Sequence, residues 1–447
     1  MQSAATAIFC GSLRRPSYLL AGLLVAIVAV IGAWNAYDYP SIFGFDAAEH
    51  QAYADSLIHH WHIPGNETRS EYYTPPGFYL LAGVATVIGE QAHPSDPHKF
   101  AQYMNWLVLV ATAFVLLLLV RELFPRRPWV QLAALGYFCL LPVAFRSAAM
   151  FHPEPLSLLL STIALLLAAR MFVRRQFRPL PAVLLGVALG AGQLVRAFSL
   201  WTFTAVVLGF GGALLFRYAD RRTLLRTLAI TVVACAIVVS PWYIRQAIRY
   251  GNPVFAVKTE NKPIWERRPA SFYFGLGLPQ VFTDPIRPNY LNKALPTTYS
   301  DLWGDYFGVF GWNSTAHVIT PREKYELRQQ SYLGLVPTLL AVVGWLALLV
   351  LAIRRRAPAL LPVALLPGLG ILGYLYFTVS YPTPDGDVLK ANYMLSTATA
   401  WAVAFGVAFE WVAARGGLVR AALLVLLVGS AVLSIPYLVY GRPLGFL

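Results

Sequence analysis

The sequence predicts an all-α, polytopic membrane protein, and three observations carry that reading. Only 13% of the 447 residues are charged, about half the 25% usual in soluble domains. Hydrophobic residues make up 57%, and the mean hydropathy is +0.57. Apolar runs of about 20 residues, each long enough to cross a bilayer, recur from end to end. A soluble enzyme, a disordered scaffold and a coiled coil are excluded on these grounds.

Taken in order, the first apolar run covers about 17–36 and follows Arg14 and Arg15. It ends without an Ala-x-Ala site, so it reads as a retained first span and not a cleaved signal. Residues 37–100 form a long segment with two stretches of helical character. Asp46 to Trp61 is polar and amphipathic. Pro76 to Gly89 is apolar but only about 14 residues long, which is short for a span and suits an interfacial or re-entrant helix. Further spans are expected at about 101–121, 128–147, 154–172, 180–196, 198–216, 223–241, 333–352, 358–378, 390–411 and 419–438. The total is about 11 in a single transmembrane domain. The stretch 242–332 is rich in Trp, Tyr, Pro and charge, so it is expected to fold. Only about nine residues follow the last span, so no soluble C-terminal domain is expected there. No internal repeat is visible, which counts against a transporter of the inverted-repeat type.

Sorting the charges by predicted side explains the net charge of +14. One side receives 18 basic residues, all arginine, and three acidic ones (Glu122, Asp220 and Glu410). The other receives 17 basic and 18 acidic residues. Such an excess marks the first side as cytoplasmic. The N-terminus is then cytoplasmic, 37–100 and 242–332 are external, and nucleic acid is not an expected partner. The cytoplasmic connections are too short for a nucleotide-binding domain and contain no Walker motif. Of three cysteines, Cys139 and Cys235 sit inside apolar spans and Cys10 in the N-terminal tail, so no disulfide framework is expected. Short connections of this kind suit a bacterial inner membrane.

Polar chemistry gathers on the predicted external side, which holds all eight histidines and 18 of the 21 carboxylates. In Phe45-Asp46-Ala-Ala-Glu49-His50-Gln-Ala-Tyr53, helical spacing brings Asp46, Glu49, His50 and Tyr53 to one face. A plain alternative is that Asp46 caps the helix and Glu49 completes a capping box. Glu71-Tyr72-Tyr73-Thr74-Pro75-Pro76-Gly77-Phe78-Tyr79 marks a helix start. In Phe151-His152-Pro153-Glu154 the carboxylate sits where a helix dipole favours it. Arg196 lies between two apolar runs, a costly and often functional place for a charge unless it snorkels to the interface. Arg245 ends one span and Lys390 opens another. Convergence of Arg196, Arg245 and Lys390 would suit a phosphate or diphosphate. Asn66-Glu67-Thr68 and Asn313-Ser314-Thr315 match glycosylation sequons, a pattern frequent by chance.

The ordered set resembles the GT-C superfamily of polytopic glycosyltransferases, which includes protein O-mannosyltransferases and lipid A aminoarabinose transferases. The resemblance rests on Asp46 after the first span and the Pro75-Pro76-x-x-Tyr79 motif about 30 residues later. It continues through Glu154, the Gly-rich span ending at Arg196, the Ser240-Pro241-Trp242 helix end and Lys390-x-x-Tyr393. Together these cover about 390 residues. It implies a GT-C-like helical bundle with interfacial helices in the first external loop. Asp46 is then the catalytic base, and Arg196, Arg245 and Lys390 contact the donor phosphate. Glu49, His50, Tyr53, Glu71, Tyr72 and Glu154 bind substrate or support the site. Some members carry Glu-Lys before the proline for metal and phosphate contacts. Here Thr74-Pro75 stands there, so a divalent metal is in question, with Glu49 or His50 as its ligand if one binds.

The resemblance further implies a polyprenyl-phosphate sugar donor and a glycan, lipid or protein acceptor. Asp46 would take the acceptor proton, cations would stabilise the departing lipid phosphate, and one displacement would invert the anomeric carbon. A transporter or flippase for lipid-linked glycans is the competing reading. It predicts charged residues at mid-membrane on several helices.

Overall fold

The computed structural model describes residues 14–65, 70–254, 263, 266–314, 316–383, 386 and 388–441. Cys10, the Asn66 sequon, Thr315, Asp385 and Asp387 lie outside the described residues. Among the described residues there are seventeen α-helices and no strand.

Helix α1 (Arg14–Asp38) leads into α2 (Ala47–His60), a short 3-10 turn (Ser70–Tyr73) and α3 (Gly77–Ala92). Then come α4 (Lys99–Leu123), α5 (Pro128–Cys139), α6 (Pro142–Ala149), α7 (Glu154–Val173) and α8 (Pro179–Val195). They are followed by α9 (Leu200–Leu215) and α10 (Arg221–Tyr250). Three short helices, α11 (Ala270–Phe274), α12 (Gln280–Thr283) and α13 (Ala294–Trp303), occupy the connection to α14 (Pro321–Arg354). The last helices are α15 (Leu361–Ser380), α16 (Ala398–Ala413) and α17 (Gly417–Ser434).

Among the described residues, nine helical segments are long and apolar enough to cross a membrane, so the chain is a multi-pass membrane protein. The expected span at 128–147 is in fact α5 and α6, bent by 48°. The cause is Pro142, which starts a new helix and cannot donate back into the preceding one. Counting the pair as one crossing gives ten. Helix α8, the remaining predicted span, has 17 residues and falls just short of the same test. Two helices outrun their predicted limits: α10 has 30 residues and α14 has 34. Hydropathy marks only the apolar part of a helix, and both continue into polar sequence. At the start of α14, Thr320 and Glu323 form a reciprocal capping box, which fixes that boundary well before the apolar run begins. The expected span at 390–411 opens with a 3-10 segment, Ala391–Thr397, before α16.

Lipid tails are as apolar as leucine, so helices in a bilayer gain little by hiding apolar surface from each other and pack through close contact instead. Gly186 of α8 shows why a small residue is needed: a Cβ there would collide with the Thr231 carbonyl of α10. The first and last long helices are clasped by hydrogen bonds. Asn35 donates Nδ2 to the Leu438 carbonyl at 2.7 Å and accepts from the Tyr440 amide at 2.9 Å, while Trp34 Nε1 donates to the Tyr440 carbonyl at 3.0 Å.

The crossings alternate, giving the bundle two unlike ends. One gathers the arginine-rich turns. There Arg174 makes two bonds to Glu122, at 2.9 and 2.6 Å, and Arg127 Nη1 donates to Glu410 at 2.5 Å. At the other end, α2, α3 and the segments around 150, 196 and 390 meet above an apolar cluster that includes Tyr53, Phe78, Tyr79 and Phe151.

Candidate active site

The turn after α1 is fixed first. The Tyr39 carbonyl accepts from Lys99 Nζ and from Gln102 Nε2, and the Tyr39 hydroxyl donates to the Val309 carbonyl at 2.7 Å. Gly44 follows with φ at 115°, a conformation open to glycine and poorly available to other residues. Asp46 then takes left-handed backbone, φ 53° and ψ 26°, at the N-cap position of α2.

At that position Asp46 makes no side-chain capping bond. The capping-box alternative therefore does not describe it. Its carboxylate instead accepts from Lys390 Nζ at 3.0 Å. Asp46 is 40% exposed, whereas the Lys390 side chain is 9% exposed and lies 4.5 Å from the centre of the Phe45 ring. Burial favours the neutral form of Asp46. The Lys390 charge, the His50 ring and the bond to Lys390 outweigh it and bring the acid down to about 2. Burial also works against the Lys390 ammonium, but Tyr393 and Asp46 more than compensate and its pKa is raised.

Lys390 owes its position to a pair sequence reading missed. The Asp301 carboxylate of α13 accepts from the Ala391 amide at 2.6 Å, and Arg146 of α6 donates to the Asp301 carbonyl. Burial raises the Asp301 acid to about 6 despite Arg146 and that amide.

Beside this pair lies a buried charge network. Arg196, in extended backbone after α8, sets Nε 2.7 Å from Glu154 Oε1 and Nη1 3.8 Å from Glu71 Oε2. Its Nη1 also donates to Thr74 Oγ1 at 3.2 Å, and Thr74 in turn donates to Glu71 at 2.6 Å. His152 Nδ1 meets the other oxygen of Glu154. His50 Nδ1 lies 2.7 Å from the Tyr79 hydroxyl and 3.7 Å from Glu71, and its ring stands edge-on to His152 with centroids 4.9 Å apart. Burial dominates His50 and lowers it to about 4, against the opposing pull of Glu71. It is therefore a neutral imidazole near pH 7. Tyr53 stacks on Tyr79 at 3.8 Å and donates to the Thr74 carbonyl at 3.2 Å. Tyr393 joins the two halves: the Arg196 guanidinium lies 5.4 Å and the Lys390 ammonium 5.9 Å from its ring centre.

Asp46, His50, Tyr53, Glu71, Glu154, Arg196 and Lys390 are thus brought together. Three other predicted residues stand differently. Arg245 does not converge with Arg196 and Lys390 on the carboxylates. Its Nη2 lies 3.2 Å from the Ile63 carbonyl and 3.4 Å from that of Pro64, so it ties the chain after α2 to the end of α10. Tyr72 packs on Tyr73 and Tyr250, with centroids 5.6 and 5.2 Å away. Glu49 is half-buried on α2. For the metal expectation, His50 Nδ1 is taken by Tyr79 while Nε2 is without a partner, and among the described residues no group of three or more His, Cys, Asp or Glu side chains is placed to hold a metal ion. Tyr79 and Tyr393 are the tyrosines of the two motifs read from the sequence. His152, Thr74, Arg146 and Asp301 complete what was not anticipated.

No family model and no curated protein matches the sequence. Solved structures do match in fold. The Archaeoglobus fulgidus oligosaccharyltransferase in its apo form superposes with a TM-score of 0.58 at 13% identity, over 95% of this chain and 56% of that one. AglB from the same organism, in complex with an inhibitory peptide and a dolichol-phosphate, gives 0.57 at 14% identity, over 95% and 56%. ArnT from Cupriavidus metallidurans bound to undecaprenyl phosphate gives 0.50 at 17%, over 93% and 73%. The chain spans about half the length of the oligosaccharyltransferases, 56%. At these identities the shared property is the fold, a GT-C-like polytopic helical bundle.

Proposed function

We propose that the protein is a membrane glycosyltransferase that moves a sugar from a polyprenyl-phosphate donor to an acceptor hydroxyl, with Asp46 as general base. The observation that carries this reading is the Asp46–Lys390 pair: a half-exposed carboxylate beside a buried ammonium, 3.0 Å apart, at one end of an apolar bundle. The likeness in fold to structures holding dolichol-phosphate and undecaprenyl phosphate supports a lipid-phosphate donor.

The acceptor hydroxyl rests against Asp46. Its oxygen attacks the anomeric carbon while its proton passes to the carboxylate. The bond from that carbon to the lipid phosphate breaks, and its electron pair leaves with the phosphate oxygen. Lys390 balances the charge that develops there. A single displacement inverts the anomeric carbon. The phosphate leaves already ionised, so no general acid is needed.

The pairing has a consequence for basicity. With Lys390 attached, Asp46 is a very weak base. A donor phosphate that draws Lys390 to itself removes the strongest opposing charge, and burial then raises the carboxylate toward a useful range. Donor binding thereby arms the base. Arg196 takes a different part from the one expected. It is spent on Glu154 and Glu71, so it positions the network under Asp46, and Lys390 is the cation left for phosphate. The acidic and histidine-bearing end faces outward and the arginine end faces the cytoplasm of a bacterial inner membrane. Glycan, lipid and protein remain the acceptor classes.

The test is sugar release from a panel of radiolabelled polyprenyl-phosphate sugars by purified protein, beside Asp46→Asn. Turnover that collapses in the variant supports both the activity and the base. Full turnover by the variant removes Asp46 from the mechanism. Lipid binding with no donor consumed, whatever acceptor is added, favours a transporter or flippase.

A further inference from the structure

Two adjoining clefts open at the arginine end of the bundle, away from the carboxylate network. One measures about 510 Å³ and the other about 340 Å³. Both are bordered by Phe124, Arg127, Leu351 and Arg355, so they run side by side between the ends of α4, α5 and α14. The larger continues along Trp129, Val407 and Trp411 of α5 and α16 to Arg420 at the start of α17. The smaller adds Arg126.

The chemistry of the walls is divided. The lining is mostly apolar and aromatic, and it includes four arginines against a single carboxylate, Glu410. Arg127 is bonded to Glu410, and Arg420 Nε donates to the Ala413 carbonyl at 3.4 Å. Arg126 and Arg355 are exposed, and among the described residues no carboxylate pairs with either. The two tryptophans sit where aromatic belts mark the membrane interface. Basic clefts between helix ends at that depth suit anionic lipid headgroups.

We propose that these clefts hold an anionic phospholipid. Its phosphate lies among Arg126, Arg355 and Arg420, and an acyl chain follows Leu351, Val407 and Trp411. Charge complementarity selects the headgroup: the lining carries a net excess of three positive charges, and a zwitterionic lipid would bring an ammonium against it. The apolar part of the lining selects a lipid over free phosphate, which has nothing to place there. The site does not depend on the proposed transferase activity. Its occupant differs from a donor in place, because the donor site lies at the opposite end.

The test is native mass spectrometry of the detergent-purified full chain, titrated with phosphatidylglycerol or with phosphatidylcholine of the same acyl chains. The wild type should retain phosphatidylglycerol preferentially. Loss of one lining arginine should weaken retention about five-fold, and loss of two, in R126Q/R355Q, correspondingly more. R355K, which keeps the charge, should retain most binding. The control R221Q/R222Q removes two arginines from the same end that border neither cleft, and it should bind like wild type. Four results would overturn the proposal: equal retention of the two lipids, equal loss in the control, displacement by excess inorganic phosphate, or unaltered retention by R126Q/R355Q. Thermal melts of each variant in parallel separate lost binding from lost fold.

Discussion

The Asp46 carboxylate accepts a hydrogen bond from the Lys390 ammonium at 3.0 Å, across 344 positions of sequence. Because Asp46 caps nothing, its side chain is dispensable for α2. Asp46→Asn keeps a residue that tolerates left-handed backbone and an oxygen that can accept from Lys390, so α2 should still form. Loss of the base is expected to lower sugar transfer by about 10²–10⁴-fold. Donor-release kinetics check it, measured below the melting temperature of the variant so that lost folding is not read as lost base.

Removing the partner should act through pH. Lys390 holds Asp46 at about 2, so in Lys390→Met the acid titrates above its ordinary 3.8, because burial is then opposed mainly by histidines. The acid limb of kcat/KM is expected to move upward, while Lys390→Arg restores most of the depression. An unmoved acid limb in Lys390→Met would remove the coupling.

His50 offers a stability readout. Its pKa falls from 6.5 to about 4 on folding. The folded state therefore resists protonation, so stability is complete above pH 6.5 and declines as pH falls from 6.5 toward 4. The loss is at most about 3 kcal/mol for a fully buried group. His50→Gln, which keeps an acceptor for the Tyr79 hydroxyl, should flatten that decline in melts recorded across this range. A decline of the same slope in the variant would assign it to other groups.

The Arg196–Glu154 contact predicts a destabilisation that is not additive. Either Arg196→Gln or Glu154→Gln leaves a buried charge without its partner, at a cost of about 3–5 kcal/mol. The double variant should lose clearly less than the sum, since the Arg196–Glu154 attraction is then lost once and only the part Arg196 owes to Glu71 remains. Denaturation of the four proteins in detergent completes the cycle.

Asp301 acts on Lys390 through the backbone. Asp301→Ala orphans the Ala391 amide, costing about 1–3 kcal/mol, and should lower kcat more than it raises the KM for donor. Asp301→Asn retains an acceptor and should recover most of the rate. Equal losses in both variants would point to the charge of Asp301 and away from its position.

Much of this arrangement was legible because helices in a bilayer announce themselves by composition. The apolar runs located the crossings, and Asp46, Glu154, Arg196 and Lys390 stood out as charges at their ends. What escaped were relations that no local pattern encodes. Arg146 meets Asp301 across 155 positions, and Asp301 meets Ala391 across 90. Periodicity put Glu49 on the face of Asp46, yet the reversed backbone at Asp46 turned its side chain to Lys390. Arg245 carries the same charge as Arg196 and also ends a helix. Only the path of the chain after α2 assigns it to two carbonyls. The bend at Pro142 had a sequence signal, but an unbroken hydropathy profile hid it.

The clasp between Asn35 and residues 438–440 bears on biosynthesis. A chain inserted from its N-terminus presents α1 hundreds of residues before Leu438 and Tyr440 are made. Until then the Asn35 amide has neither of the partners it holds in the finished bundle. Helix α17 lies largely on the outside of the bundle, so these bonds add to the packing of Leu423 in fastening it. The docking of α17 onto α1 therefore comes late, after the residues between them have been made. A nascent chain stalled before Leu438 would carry an unmet polar group in α1, a feature by which membrane quality control can tell an undocked helix from a docked one.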